Sequence, residues 1–202
     1  MKPKVYVLVF DGFADWEPAH ALCRVNQSGR FDVVAVGLSE APVKSMGGLT
    51  VTPEITLERI DPGEAAIFIL PGGTMWEQPG RQNVLDVLGR LHAAHVPIAA
   101  ICGATLEVAR SGLMRGARHT SNAKEYLETF VPDYAGGDFC ADELAVADNG
   151  LITASGLGSV EFAREIIKEL KILSDADTRM WFDMFKNGVI PESLRYKKAS
   201  QR

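Results

Sequence analysis

The run Val96-Pro97-Ile98-Ala99-Ala100-Ile101 carries no charge, is β-branched or small nearly throughout, and stops at Cys102 followed by glycine. A strand apolar along its whole length is buried on both faces, the condition of a parallel strand in a sheet covered by helices. Gly103 and Ala104 then open a pattern with Leu106, Val108, Ala109 and Leu113, and Ser111-Gly112 punctuates it as a short helix with glycine after its last turn. Strand, sharp turn and helix therefore meet at Cys102. A side chain on such a turn is pushed clear of the backbone, as in a nucleophile elbow, and its small neighbours leave room for a substrate. The helix N-terminus adds partial positive charge, which favours a thiolate over a thiol. The bland alternative is a small buried cysteine. The abrupt end of the strand at glycine favours the nucleophile.

The rest of the chain supplies a parallel sheet for that strand. Val5 to Phe10 reads as a first strand, Asp15 as the cap of a helix from Trp16 to about Ser28-Gly29, and Phe31 to Leu38 as a second strand. This opening is βαβ. Pro42 to Asp61, with Gly47-Gly48 between short β-type runs, predicts a hairpin or strand excursion. Ala66 to Leu70 is a further buried strand, and Arg81 to His95 carries Val84, Leu85, Val87, Leu88 and Leu91 at helical spacing. Ala117 to Thr120 looks extended, and Ser121 or Asn122 could cap a helix through Leu127. Asn149-Gly150 marks a hairpin between 145–148 and 151–154. Gly156 to Ser159 opens an amphipathic helix, and Ser174 with Asp177 reads as a capping box for a last helix that ends at Gly188. Met180, Trp181, Met184 and Phe185 form that helix's apolar stripe, a core-docking face or an oligomer interface.

Composition bounds what such a chain does. Residues 1–202 show no linker or charge block, so one domain is expected. A formal net charge of -5 leaves no basic field for nucleic acid, and Lys197-Lys198 sits in a polar tail. Cys23, Cys102 and Cys140 are far apart and form no C-x-x-C array, which supports neither a disulfide framework nor a metal site. No signal peptide or membrane span is legible, so a soluble, cytoplasmic protein without a cofactor or metal is expected.

Glu17 is the acid best placed to work with Cys102. It falls in the first helical turn after the first strand, at the carboxyl edge where parallel sheets place their sites. A charged carboxylate beside a thiolate would raise both pKa values, so a proton would be shared, with a neutral Glu17 donating to the sulfur. A plain helix N-terminal acid, favoured by the dipole, is the other reading. Gly72 and Gly73 let backbone N–H groups approach a substrate oxygen, and with the N–H of Gly103 they would make an oxyanion hole. As loop punctuation the same Pro-Gly-Gly is common. Among the histidines, His92 and His95 read as solvated and His20 as helical. His119 stands at a strand end as a candidate general base, or as a merely exposed residue. Cys23 and Cys140 read as structural.

Four stretches taken together, Asp11-Gly12-Phe13-Ala14-Asp15-Trp16-Glu17-Pro18, Leu70-Pro71-Gly72-Gly73, Ala99-Ala100-Ile101-Cys102-Gly103-Ala104 and Thr153 to Ala163, resemble the ordered landmarks of the ThiJ/PfpI superfamily, a class I glutamine amidotransferase-like group. The resemblance covers roughly residues 4 to 173. It implies a flavodoxin-like three-layer α/β sandwich, a homo-oligomer, Cys102 as elbow nucleophile, Glu17 as its protonated partner, and Gly73 and Gly103 as oxyanion donors. The chain also departs from the group's branches. Gly103 stands where the protease-like branch has histidine, which argues against peptidase work. No histidine follows His119, which argues against glutaminase work. The histidine that the stress-response branch often has after the elbow helix falls at His119 or is replaced by Thr120. Three functions remain: a Cys102 enzyme on a small carbonyl or amide compound, of glyoxalase-, deglycase- or hydrolase-like type; a redox-responsive stress protein or chaperone; or a regulatory domain without chemistry.

Overall fold

Continuous apolar segments become the buried strands of one sheet, and the glycines and capping residues between them set where the helices start. In the computed structural model, residues 1–79 and 81–192 are described, and Lys197-Lys198 lies outside the described residues. The order begins β1 (Lys4–Val9), α1 (Trp16–Gln27), β2 (Asp32–Gly37), β3 (Val43–Lys44), β4 (Thr50–Val51), β5 (Ile55–Thr56) and β6 (Ala65–Leu70). A 3-10 turn over Thr74–Glu77, α2 (Gln82–Ala93), β7 (Ile98–Ile101), another 3-10 turn over Cys102–Ala104, α3 (Thr105–Arg110) and α4 (Lys124–Phe130) follow. The described part closes with β8 (Ala145–Asp148), β9 (Leu151–Ala154), α5 (Ser159–Glu169) and α6 (Asp175–Asn187).

Seven strands make the main sheet in the order β5-β2-β1-β6-β7-β9-β8. Every neighbouring pair is parallel except β8 with β9, whose tight Asn149-Gly150 turn puts both residues at positive φ. The predicted excursion is the small antiparallel hairpin β3–β4, followed by β5 on the edge of the main sheet. Side-chain alternation sorts each central strand between two apolar layers. Val5 and Val7, Ile67 and Ile69, Ala99 and Ile101 face one layer with Ala21, Val25, Phe162 and Ile166 of α1 and α5. Tyr6 and Leu8, Phe68 and Leu70, Ile98 and Ala100 face the other, with Val84, Leu88, Leu106 and Leu127. The result is a flavodoxin-like three-layer sandwich with a mostly parallel centre. Leu8, Ile69 and Ile101 are fully buried, each worth about 1.5–3 kcal/mol, and they anchor the strand ends that carry the site.

Three local readings are corrected. Asp15 precedes α1, but its backbone is helical (φ -66°, ψ -25°), and an N-cap side chain folds back only from the extended region. Its carboxylate instead accepts from Ser45 Oγ at 2.7 Å and Gly47 N–H at 3.2 Å, clamping the β3–β4 hairpin beside the start of α1. Neither Ser121 nor Asn122 caps α4, which begins after an extended Ala123. The α6 stripe is split: Trp181 is buried, while Met180 and Phe185 are exposed. The Ser174 cap holds, since its hydroxyl oxygen accepts from Asp177 N–H and Gly188 ends α6 in the left-handed region.

Candidate active site

β1, β6 and β7 run side by side and parallel, so their carboxyl ends release the chain at one edge of the sheet. β6 lies between β1 and β7, which places the Pro71-Gly72-Gly73 turn between the start of α1 and the Cys102 turn. Gly72 is the wedge that makes the three segments meet. Its N–H donates to Glu17 Oε2 at 2.5 Å and its carbonyl accepts from Ala14 N–H at 2.9 Å. A Cβ at Gly72 would stand 2.7 Å from both Cys102 Cβ and Glu17 Oε2, so only glycine lets the carboxyl and the sulfur come together.

Cys102 is the turn itself. Its φ of 58° lies in the left-handed region, rare for a residue with a Cβ, and marks a local strain that the surrounding bonds hold in place. Thr105 Oγ1 donates to the Cys102 carbonyl at 2.6 Å and pairs with Ser121 Oγ at 2.6 Å. The sulfur is partly exposed and receives hydrogen bonds from Asn122 Nδ2, at 3.4 Å, and from the Gly103 N–H, besides its bond with Glu17. Asn122 is itself fixed by accepting from Gly156 N–H at 2.9 Å. A Cβ on Gly156 would lie 3.0 Å from Cys102 Sγ, so a second glycine keeps space at the sulfur.

Burial governs the electrostatics. Glu17 is 1% exposed, and loss of hydration pushes its pKa up to about 7, against the opposing pull of the Gly72 N–H and Cys102. Burial also pushes the Cys102 thiol up, and the Glu17 charge adds to it, while Asn122 and the Gly103 N–H pull it down. Desolvation is thus the leading cause of both shifts, and the contact acts differently on the two partners: the Glu17 charge opposes ionisation of the thiol, while the bond with Cys102 eases ionisation of Glu17.

His119 is placed differently. It is fully buried, one ring nitrogen bonds the Ala117 carbonyl at 2.7 Å, and the other bonds Tyr134 Oη at 2.5 Å. Burial lowers its pKa, so it favours the neutral ring. Its strand-like stretch survives as a single bridge to Cys140. The Thr120 hydroxyl donates to the Glu143 carbonyl at 2.7 Å. Of the positions after the elbow helix, Asn122 is the one bonded to the sulfur. Sequence reading missed it because an asparagine ahead of a helix looks like a cap. Gly73 lies at φ 154° with a Phe10 ring atom 2.7 Å from where a Cβ would be, and its N–H donates to no acceptor among the described residues. Cys23, read as structural, is exposed, and Cys140 is partly exposed.

Beside Asn122 a cleft of about 610 Å³ opens between 120–125, 140–144 and Ser155. Among the described residues no group of three or more His, Cys, Asp or Glu side chains could hold a metal, and no helix is long and apolar enough to cross a membrane.

Known proteins are similar to this one over most of the chain. The chain is 36% identical over 191 residues to the uncharacterized protease YoaZ of Bacillus subtilis, covering 91% of this chain and 90% of that one. It is 25% identical over 169 residues to the deglycase TK1284 of Thermococcus kodakarensis, covering 83% and 99%. The crystal structure of a thiJ/pfpI family protein from Bacillus anthracis superposes with a TM-score of 0.87 at 32% identity, over 94% of this chain and 92% of the other. The family pattern itself spans residues 3–169, and with these likenesses it establishes that the chain belongs to the DJ-1/PfpI family.

Proposed function

We propose that the protein is a Cys102-dependent enzyme acting on a small carbonyl or amide compound, in a glyoxalase-, deglycase- or hydrolase-like reaction. The observation that carries this reading is the contact of Glu17 with Cys102, hydrogen-bonded on a strained turn beside Gly72, Asn122 and the Gly103 N–H. In the first step the Cys102 thiolate adds to the electrophilic carbon, forming a C–S bond as the C=O π pair moves onto oxygen. The proton held by Glu17 passes to that oxygen, leaving Glu17 ionised as a base for the next step. In this reading the N–H of Gly73 stabilises the developing oxyanion, joined by that of Gly103 as it leaves the sulfur. His119 stands outside the reacting set, because both its ring nitrogens are engaged elsewhere. The names protease and deglycase borne by relatives fit carbonyl chemistry at a cysteine. Gly103, where a histidine would follow the nucleophile, argues against peptide hydrolysis.

The test is steady consumption of a panel of α-oxoaldehydes and small amides by wild type, Cys102→Ala and His119→Gln. Turnover that falls by at least about a thousandfold in Cys102→Ala and persists in His119→Gln is expected. A wild type that turns over nothing, while Cys102 accumulates sulfinic acid under mild peroxide, would replace this reading with the redox-responsive one.

A further inference from the structure

Near the Cys102 turn, two side chains from different segments join. Glu77 ends the 3-10 turn Thr74–Glu77, which packs on the elbow through Trp76; the Trp76 Cδ1 atom lies 3.2 Å from where a Gly103 Cβ would be. Tyr126 is in the first turn of α4, four residues beyond Asn122, whose amide holds the Cys102 sulfur. Tyr126 Oη donates to Glu77 Oε1 at 3.3 Å, so the bond spans the two segments that flank the nucleophile. Burial, then the charge of Glu77 and that of Cys102, raise the Tyr126 phenol's pKa, which places it within electrostatic reach of both.

Glu77 is exposed and pairs with no cation among the described residues. Two neighbouring cations, Arg110 and Lys124, are paired elsewhere. Arg110 bonds Glu107 and the carbonyls of Trp76 and Phe130, and Lys124 pairs with Glu128 in a cleft that also presents Glu125, Asp142 and Glu143. The Glu77 carboxylate and the Tyr126 phenol oxygen thus stand together near Cys102.

We propose that Glu77, held by Tyr126, sets the charge preference of the Cys102 site: it accepts electrophiles bearing an ammonium, guanidinium or similarly N–H-rich group and disfavours those bearing a carboxylate or phosphate. The inference rests on Cys102 being the reacting group. It names the class of substrate that group receives.

Methanethiosulfonate reagents of matched size test it without knowledge of the substrate. The Cys102 thiolate attacks the sulfenyl sulfur, an S–S bond forms, and methanesulfinate leaves with the electron pair. Rates for a trimethylammonium and a sulfonate reagent are read from the mass of the Cys102 peptide. Each is divided by the rate for a neutral reagent on the same variant and by the corresponding ratio for 2-mercaptoethanol. The wild-type preference for the cation is expected to be about tenfold at low salt, shrinking in high salt. In Glu77→Gln it falls to within about threefold of unity, and in Tyr126→Phe, which keeps the charge but frees it to move, it lies between. A wild-type ratio at or below one, or a ratio unchanged in Glu77→Gln, overturns the proposal. Cys102 reacting no faster than Cys23 with the neutral reagent, while the charge ratio stands, sinks the nucleophile reading alone. A Cys102 closed to all three reagents overturns both.

Discussion

Glu17 carries two burdens that a single substitution separates. With its folded pKa raised to about 7 from an ordinary 4.5, the folded protein holds a proton that the unfolded chain releases across that window. The folded state then binds more protons, so stability falls as pH rises from 4.5 and the loss is complete above about 7, at a cost on the order of 3 kcal/mol. Glu17→Gln removes that dependence while its amide oxygen still accepts from Gly72. Urea midpoints should show the variant gaining on wild type between pH 4.5 and pH 8; an identical difference at both would refute a buried, proton-holding Glu17. The same variant should raise the Cys102 thiol pKa by less than about two units, because an amide donates to a thiolate more weakly than a carboxylic acid does. An ionised Glu17 predicts the opposite, since removing a neighbouring charge eases thiol ionisation. Thiolate absorbance against pH, with Cys23 and Cys140 replaced by serine, reads the sign.

Between elements, closeness is bought by the absence of side chains. The turn after β6 must pass between the start of α1 and the Cys102 turn, and Gly72 is the point of contact for both. Gly72→Ala should push Cys102 and Glu17 apart, destabilise by about 1–3 kcal/mol through overpacking, and cost at least about a hundredfold in Cys102 alkylation rate. Gly150→Ala is the control. It carries a positive φ of 75° with open space around its Cβ, so it should cost about 1 kcal/mol of backbone strain and leave the alkylation rate at the wild-type value. Equal alkylation losses in both would mean that general destabilisation, and not the clash at the pair, explains the effect. The Asp15 clamp on Ser45 and Gly47 shows the same logic in reverse, with a side chain expected to serve its own helix fixing a distant hairpin instead.

The whole molecule leaves apolar groups uncovered beside its site and on its last helix. Trp16, Met46, Leu49 and Leu157 are half or more exposed, and so is Phe185. Trp16 adjoins Glu17, Leu157 adjoins Gly156, and Met46 sits on the hairpin that Asp15 clamps. A second copy of the chain would cover such surface, as the family resemblance implies, and we expect at least a dimer at micromolar concentration. Light scattering should give about twice the 21.9 kDa of one chain or more; a single species at the mass of one chain would count against it.

Several features were legible in the residues alone because they depend on local pattern. Short apolar runs rich in β-branched residues and bounded by turn residues read as buried strands, so β1, β6 and β7 stand within about two residues of expectation, and Asn149-Gly150 fixes its hairpin by backbone preference. The stop of an apolar strand at Cys102-Gly103 likewise announced the strained turn. Which side chains face that sulfur was another matter. Ser121, Asn122, His119 and Thr120 are close neighbours in sequence, and a shift of one residue along an extended segment turns a side chain to the other face. The spacing between them therefore could not choose the residue that reaches Cys102. Tertiary structure chose Asn122, because Gly156 from the loop after β9 holds its amide, and it committed His119 to Tyr134. It likewise set the raised pKa of Glu17, since burial arises from the packing of α1 over a sheet whose strand order the sequence does not state.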